Sequence, residues 1–212
     1  MSDLTAFSLF SGAGGLDIGV ENAGFDVIFA VENEVRAVET LNLNRARYFP
    51  KIATVEPLDI TTLEPRRVMR RIGLRKGELD LLVGGPPCVA FSKSGFHLDY
   101  KREGRDPKAL LLTDYFRFLD VLRPRAFIME NVFGLAYKNQ SAKFFDALQR
   151  NIIALGYSFT YGILNAADYG IPQNRQRLFM IGRRDRVALN LPVPSHWGER
   201  TSAANHRGTI YR

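Results

Sequence analysis

Four side chains in this sequence could do covalent, acid–base or anion-binding chemistry. The only cysteine, Cys88, ends the run Leu-Leu-Val-Gly-Gly-Pro-Pro-Cys at 81–88. Gly84 and Gly85 allow a sharp turn and Pro86 and Pro87 stiffen it, so a thiol would stand at the carboxyl end of a strand, where ligands gather in open α/β sheets. A free cysteine is as often a small buried hydrophobe, and this run alone does not choose between the two. Glu130 follows the apolar run Phe127–Met129 and would emerge on the same sheet edge, placed for general acid–base work, with Asn131 as a helix cap beside it. Arg175 and Arg177 lie two apart before another apolar run. In extended backbone they would point the same way, toward phosphate, a base carbonyl or water.

A second constellation could hold a ligand. Phe-Ser-Gly-Ala-Gly-Gly at 10–15 sits between a strand and a helix start, where glycines admit a ligand to the backbone and free N–H groups bind anionic atoms. It is not a full dinucleotide fingerprint, because Asp17 stands where the third spaced glycine would be. Glu32, at the end of the next strand, has the place and charge to accept hydrogen bonds from ribose hydroxyls. Asp59 follows a possible third strand at Ile52–Val55 and could reach an adenine amino group. A nucleoside without a pyrophosphate, such as S-adenosylmethionine, fits this set.

These groups need a scaffold, and the apolar periodicity supplies one. Strands are predicted at Thr5–Phe10, Asp26–Val31, Leu79–Val83, Ala126–Met129, Tyr157–Leu164 and Leu178–Ile181. Helices are predicted at Gly15–Ala23, Val35–Arg45, Pro65–Ile72, Leu110–Leu122 and Ser141–Leu155, the fourth on the spacing of Leu112, Tyr115, Phe116, Leu119 and Leu122. Such alternation implies an α/β fold with a largely parallel sheet and helices on both faces. Residues 91–108, basic and glycine-rich, read as a long functional loop. Residues 1–186 form one expected domain, and 187–212, with Leu-Pro-Val-Pro-Ser-His, a linker leading out of it.

Composition narrows the setting. The 29 Lys and Arg against 22 Asp and Glu leave a net charge of +7, with arginines concentrated at 66–75 and 175–186, which suits a polyanion partner. No apolar run approaches the roughly 20 residues that span a bilayer, and the start lacks signal-peptide character. A single cysteine allows no internal disulfide, so a reducing cytoplasm, and no membrane, is expected.

Taken together, the motifs resemble the cytosine-5 DNA methyltransferase family over about residues 5–184, in that family's order. The resemblance implies a Rossmann-like S-adenosylmethionine-dependent methyltransferase fold with a mostly parallel twisted sheet. Phe10, Ser11, Gly12, Gly14 and Gly15 resemble its cofactor loop, with Phe10 packing on adenine. Glu32 and Asn33 resemble its ribose site, Asp59 and Ile60 its adenine contact, and Pro86 belongs to the same cofactor-facing set. Gly84–Cys88, continued by Phe-Ser-Lys-Ser-Gly at 91–95, is similar to its catalytic loop; Glu130-Asn131-Val132 and Gln173–Arg177 match two further motifs.

The resemblance also implies a mechanism. Cys88 would add to cytosine C6, Glu130 would donate to N3 and hold the exocyclic amine, Arg177 would contact O2, and Arg175 would favour the anionic sulfur. Double-stranded DNA would supply an extruded base, with Ser92, Lys93 and Arg105 as backbone contacts. The family's variable recognition region and final segment are not visible after Arg184. That predicts a truncated chain or one subunit of a split enzyme with a complementary C-terminal partner, and weak activity alone. Transfer RNA as the substrate, or a non-catalytic regulatory module, are the other readings; Cys88, Glu130 and Arg177 together argue against the last.

Overall fold

A computed structural model describes residues 4–87, 107–137, 142–187, 189–196 and 209–211. The chain divides into two compact units, residues 1–87 with 110–128, and 88–109 with 129–212.

In the first unit, β1 (Leu4–Leu9) pairs in parallel with β2 (Phe25–Val31) on one side and β3 (Leu81–Gly84) on the other. The helices α1 (Gly15–Asn22), α2 (Val35–Tyr48) and α3 (Pro65–Arg71) provide the crossovers that parallel pairing requires. All four residues of β3 are buried, which is why the run reads as continuously apolar rather than alternating. Its last residue has no room for a side chain: a Cβ on Gly84 would lie 2.4 Å from the Leu9 carbonyl oxygen. Helix α4 (Pro107–Leu122) buries Leu112, Tyr115, Phe118, Leu119 and Leu122. The buried Tyr115 hydroxyl donates to the carbonyls of Leu82 (3.4 Å) and Ile128 (3.0 Å), tying α4 to β3 and to the first half of β4 (Ala126–Val132).

The possible strand at Ile52–Val55 is not formed. Val55 instead exchanges both backbone bonds with a side chain: the Asn42 amide donates to its carbonyl at 2.8 Å and accepts from its N–H at 2.9 Å. An amide on α2 thus satisfies the groups a ladder would have used.

In the second unit, β5 (Ser158–Asn165) and β6 (Gln176–Arg183) are antiparallel, and β7 (Thr209–Tyr211) pairs antiparallel with β5. Only ten residues join β5 to β6, among them the 3₁₀ turn Ala166–Tyr169, too few for a parallel crossover, so the parallel expectation holds for β1–β3 and gives way here. The short α5 (Gly134–Tyr137) follows β4, and α6 (Ala142–Ala154) places Phe145 edge-on against Tyr161 at 4.9 Å. The stretch expected to lead out of the domain is tethered to it. The Tyr169 hydroxyl donates to the Pro192 carbonyl at 2.9 Å, and the N–H groups of Ser195 and His196 donate to the Asp168 carbonyl.

Candidate active site

Between β1 and α1 the chain turns through residues that leave the right-handed backbone region. Phe10 has φ +55°, uncommon for a residue with a side chain, Gly12 has φ +55° and Gly14 φ +86°. The Gly14 N–H closes the turn on the Ser11 carbonyl at 3.0 Å, and a Cβ at Gly14 would stand 2.8 Å from the Phe49 ring, so glycine is required there twice over.

Glu32 fixes this turn against the end of β2. One carboxylate oxygen accepts from the Gly12 N–H (2.8 Å) and the other from the N–H groups of Asn33 and Glu34 (both 2.9 Å). A carboxylate offers about four lone-pair positions, so three backbone bonds leave capacity for a ligand hydroxyl. The Glu32 carbonyl in turn accepts from Leu58 N–H at 2.7 Å, bringing the Leu58–Ile60 segment alongside.

A pocket of about 220 Å³ results, walled by Val31, Leu58, Ile60, Pro87 and Leu111, with Phe10, Glu32, Asn33 and Gly85 completing it. That is below the roughly 300 Å³ at which sites for drug-sized ligands begin, and suits one nucleoside moiety between apolar walls with a carboxylate beside it. The residues present therefore fit the adenosine part of S-adenosylmethionine.

Of the residues expected to contact such a group, Phe10, Glu32, Asn33 and Ile60 line the pocket. Ser11, Gly12, Gly14, Gly15, Asp59 and Pro86 do not. Asp59 turns its carboxylate to the N–H and hydroxyl of Thr61, at 2.9 and 2.8 Å, capping the 3₁₀ turn Ile60–Thr62. It shapes the wall that Ile60 presents. Val31, Leu58 and Leu111 escaped the sequence reading because apolar wall residues look like any other core, and Gly85 and Pro87 were read only as the turn leading to Cys88.

Arg117 on α4 escaped it too. Its guanidinium donates to the carbonyls of Ile60 (2.7 Å) and Leu63, while Asp114 balances its charge at 2.8 Å. The signal available in the sequence was an Asp–Arg pair three apart on an otherwise apolar helix.

Ser11 faces inward. Its hydroxyl donates to Ser8 Oγ at 2.8 Å, and Ser8 Oγ donates to Asp17 Oδ1 at 2.6 Å. Asp17 is 1% exposed and its Oδ2 has no hydrogen-bond partner. Burial pushes its carboxyl up to about 6, against the opposing Ser8 bond and with help from the Glu21 charge.

A carboxyl raised from 3.8 in the unfolded chain to about 6 in the folded one costs nothing well below pH 3.8, when both states are protonated, and approaches its full penalty well above pH 6. That penalty is roughly 3 kcal/mol at 1.36 kcal/mol per pH unit. Asp17→Asn is therefore expected to gain stability over the parent progressively from pH 4 to pH 7, by up to about 3 kcal/mol in urea unfolding. A difference between the two proteins that does not change with pH would refute the assignment.

The second unit carries a candidate group of its own. Glu130, in the second half of β4, is about three-quarters buried, and its Oε1 lies 2.9 Å from Arg177 Nε on β6. Burial raises the Glu130 carboxyl, and the Arg177 and Arg175 charges and the Arg177 hydrogen bond restrain the rise without cancelling it. Arg177 thus engages Glu130 through Nε, and its Nη1 donates to the Gln176 carbonyl at 2.8 Å. Arg175 is exposed, and its backbone N–H donates to Asn165 Oδ1 at 2.9 Å. Asn131 is buried, its Oδ1 accepting from Val132 N–H at 2.8 Å. Cys88, Ser92, Lys93 and Arg105 lie outside the described residues.

The fold defines the class first. S. pombe Dnmt2 methyltransferase aligns with a TM-score of 0.62 at 22% identity, covering 85% of this chain and 49% of that one, which shows that the two share an α/β fold. The family model described as C-5 cytosine-specific DNA methylase matches residues 4–210, and the chain belongs to that family.

Among its relatives are the Type II methyltransferase M.SacI of Streptomyces achromogenes, 41% identical over 209 residues, and M.AquIA of Picosynechococcus sp., 38% identical over 197 residues. The first match covers 93% of this chain and 52% of the relative, the second 89% and 75%. This chain spans about half the length of M.SacI, and likewise of M1.HphI of Haemophilus parahaemolyticus, where the match covers 49%.

Proposed function

We propose that this chain carries the cofactor pocket and the catalytic groups of a DNA (cytosine-5) methyltransferase. It would act on double-stranded DNA in the cytoplasm of a bacterium together with a complementary C-terminal segment or subunit. The observation that supports this most directly is Glu130, a largely buried carboxyl raised by burial and held at 2.9 Å by Arg177. A nucleotide-modifying site that must donate a proton at neutral pH needs such a group.

Cytosine C5 is a weak nucleophile until conjugate addition at C6 interrupts the ring's aromaticity and leaves C5 enamine-like. Cys88 thiolate adds to C6, forming the S–C6 bond and pushing an electron pair toward N3 and O2. Glu130, protonated, donates to N3 as that charge develops, and the guanidinium of Arg177 keeps the carboxyl oriented through Oε1. Val31, Leu58, Ile60, Phe10 and Glu32 would hold the adenosine of S-adenosylmethionine. When bound, that molecule supplies the electrophilic methyl group taken up by C5. Transfer of the C5 proton to a base then forms the C5–C6 double bond, expels Cys88 as thiolate and, with N3 returning its proton to the Glu130 carboxylate, restores the aromatic ring.

Radiolabel transfer from S-adenosylmethionine tests the reading, with duplex DNA and transfer RNA as parallel substrates and a C-terminal fragment of M.SacI supplied in trans. Incorporation into duplex DNA, together with a covalent adduct on duplex containing 5-fluorocytosine, is the expected outcome. Incorporation into transfer RNA alone, or no adduct on either, overturns it.

A further inference from the structure

Helix α3 carries a charge pattern that neither the pocket nor Glu130 uses. Its N-cap is Glu64, whose carboxylate accepts from the N–H groups of Arg66 and Arg67, and Pro65 occupies the first helical position. Pro65 and Val68 face inward and are buried. At about 100° per residue, Arg66, Arg70, Arg67 and Arg71 cover an arc of about 140° centred opposite those two. All four are exposed, as are Arg75 and Lys76 just beyond the helix.

Among the described residues none of these six side chains has an ion-pair or hydrogen-bond partner. The neighbouring acids are engaged elsewhere. Glu64 caps α3, Glu78 accepts from the Arg75 backbone N–H at 2.7 Å, and Asp80 pairs with Arg125 at 3.0 Å. An open concavity of about 670 Å³ runs beside the helix, with Arg66, Arg70 and Lys76 on its walls and Glu64 and Asp120 as its acidic members.

Placing arginines at 66 and 70, and again at 67 and 71, puts like charges at (i, i+4), an arrangement that costs helix stability. Among the described residues no ion pair offsets that repulsion. A row of exposed guanidinium groups about 6 Å apart along a helix is instead complementary to a phosphodiester backbone, where each neutralised phosphate releases counterions.

We propose that α3, with Arg75 and Lys76, forms a sequence-independent binding surface for the phosphate backbone of double-stranded DNA. The choice of DNA as the polyanion rests on the function proposed above; the charge pattern itself does not. Since no base is read here, this surface attaches the protein to duplex irrespective of where a modifiable cytosine lies.

Fluorescence anisotropy with a duplex made only of A·T pairs tests this, because such a probe offers no cytosine to the Glu130 site. R66Q/R67Q/R70Q/R71Q keeps four good helix formers and relieves the repulsion, so its thermal unfolding should be unchanged or slightly later. Its plot of log affinity against log salt is expected to be shallower by about 3 to 4, and its affinity at low salt lower by on the order of 100-fold.

R66Q/R70Q and the control R36Q/R150Q both lower the net charge from +7 to +5, and only the first should lose appreciable affinity. Equal losses in the two pairs, an unaltered salt slope in the quadruple variant, or no binding of the A·T duplex by the parent chain each overturns the proposal. A chain that transfers methyl groups with an unaltered slope would sink this surface alone. A chain that transfers none, yet loses duplex binding in the quadruple variant, would sink the proposed function and leave the surface standing.

Discussion

Replacing Cys88 with serine is expected to reduce methyl incorporation into duplex DNA by at least ~10⁴-fold, about 5.5 kcal/mol in the barrier. S-adenosylmethionine binding and A·T duplex binding should stay within twofold of the parent. The asymmetry follows from the chemistry of the nucleophile. A thiol near its ordinary pKa of about 8.5 is a few per cent thiolate at neutral pH and intrinsically very nucleophilic, whereas a serine hydroxyl has no comparable anionic fraction without a dedicated base. The pocket residues Gly85 and Pro87 immediately precede Cys88 in the chain, and serine is nearly isosteric, so the change should not disturb the walls around Phe10 and Ile60. The 5-fluorocytosine adduct should vanish with the transfer activity. Transfer by Cys88→Ser at more than a tenth of the parent rate would remove the covalent step from the proposed function.

The elements that position these groups were legible because burial imposes periodicity. Leu112, Tyr115, Phe116, Leu119 and Leu122 predicted the buried face of α4; all but Phe116 are at most 1% exposed, and Phe118 is buried where Phe116 is only half-buried. The apolar run at 81–83, beginning just after the charged Asp80, likewise marked a strand whose residues are all buried. What escaped the sequence depends on partners distant in the chain. Ile52–Val55 has strand composition, yet the Asn42 amide takes both backbone bonds of Val55, and Phe49 and Arg45 take those of Ile52.

Ser11 and Asp59 have the right types for ligand contacts, but each spends its side chain on a neighbour, Ser8 and Thr61 respectively. In both cases short-range hydrogen bonds compete with the ligand role, and a linear motif carries no record of which wins. Arg117 illustrates the converse: a residue with no motif around it holds the carbonyls of the Ile60–Leu63 turn because α4 lies against it. Glu130 and Arg177 are 47 positions apart in the sequence, and only the pairing of β4 and β6 makes them one unit.

That unit sets the second large effect. Glu130→Gln removes the transferable proton while keeping a hydrogen-bond donor of similar shape, and is expected to lower kcat by on the order of 10²- to 10³-fold, the range for general acid catalysis. Arg177→Ala should also lower kcat, by roughly 10-fold or more, and in addition move the pH profile in a fixed direction. The acid form of Glu130 is the active one, so activity falls as pH rises through its pKa in the enzyme. Burial raises that pKa, and Arg177 is the largest influence restraining it, through charge and hydrogen bond. Without Arg177 the desolvation is unopposed except by Arg175, the carboxyl holds its proton longer, and the alkaline limb of kcat must shift to higher pH. Arg177→Lys restores the charge without the Nε geometry and should return the limb partway. In Glu130→Gln the same limb should be absent whether or not Arg177 is present, so the two substitutions are strongly non-additive in the double variant. A limb that moves to lower pH in Arg177→Ala, or that persists unchanged in Glu130→Gln, would show that another group titrates and that Glu130 is not the proton donor.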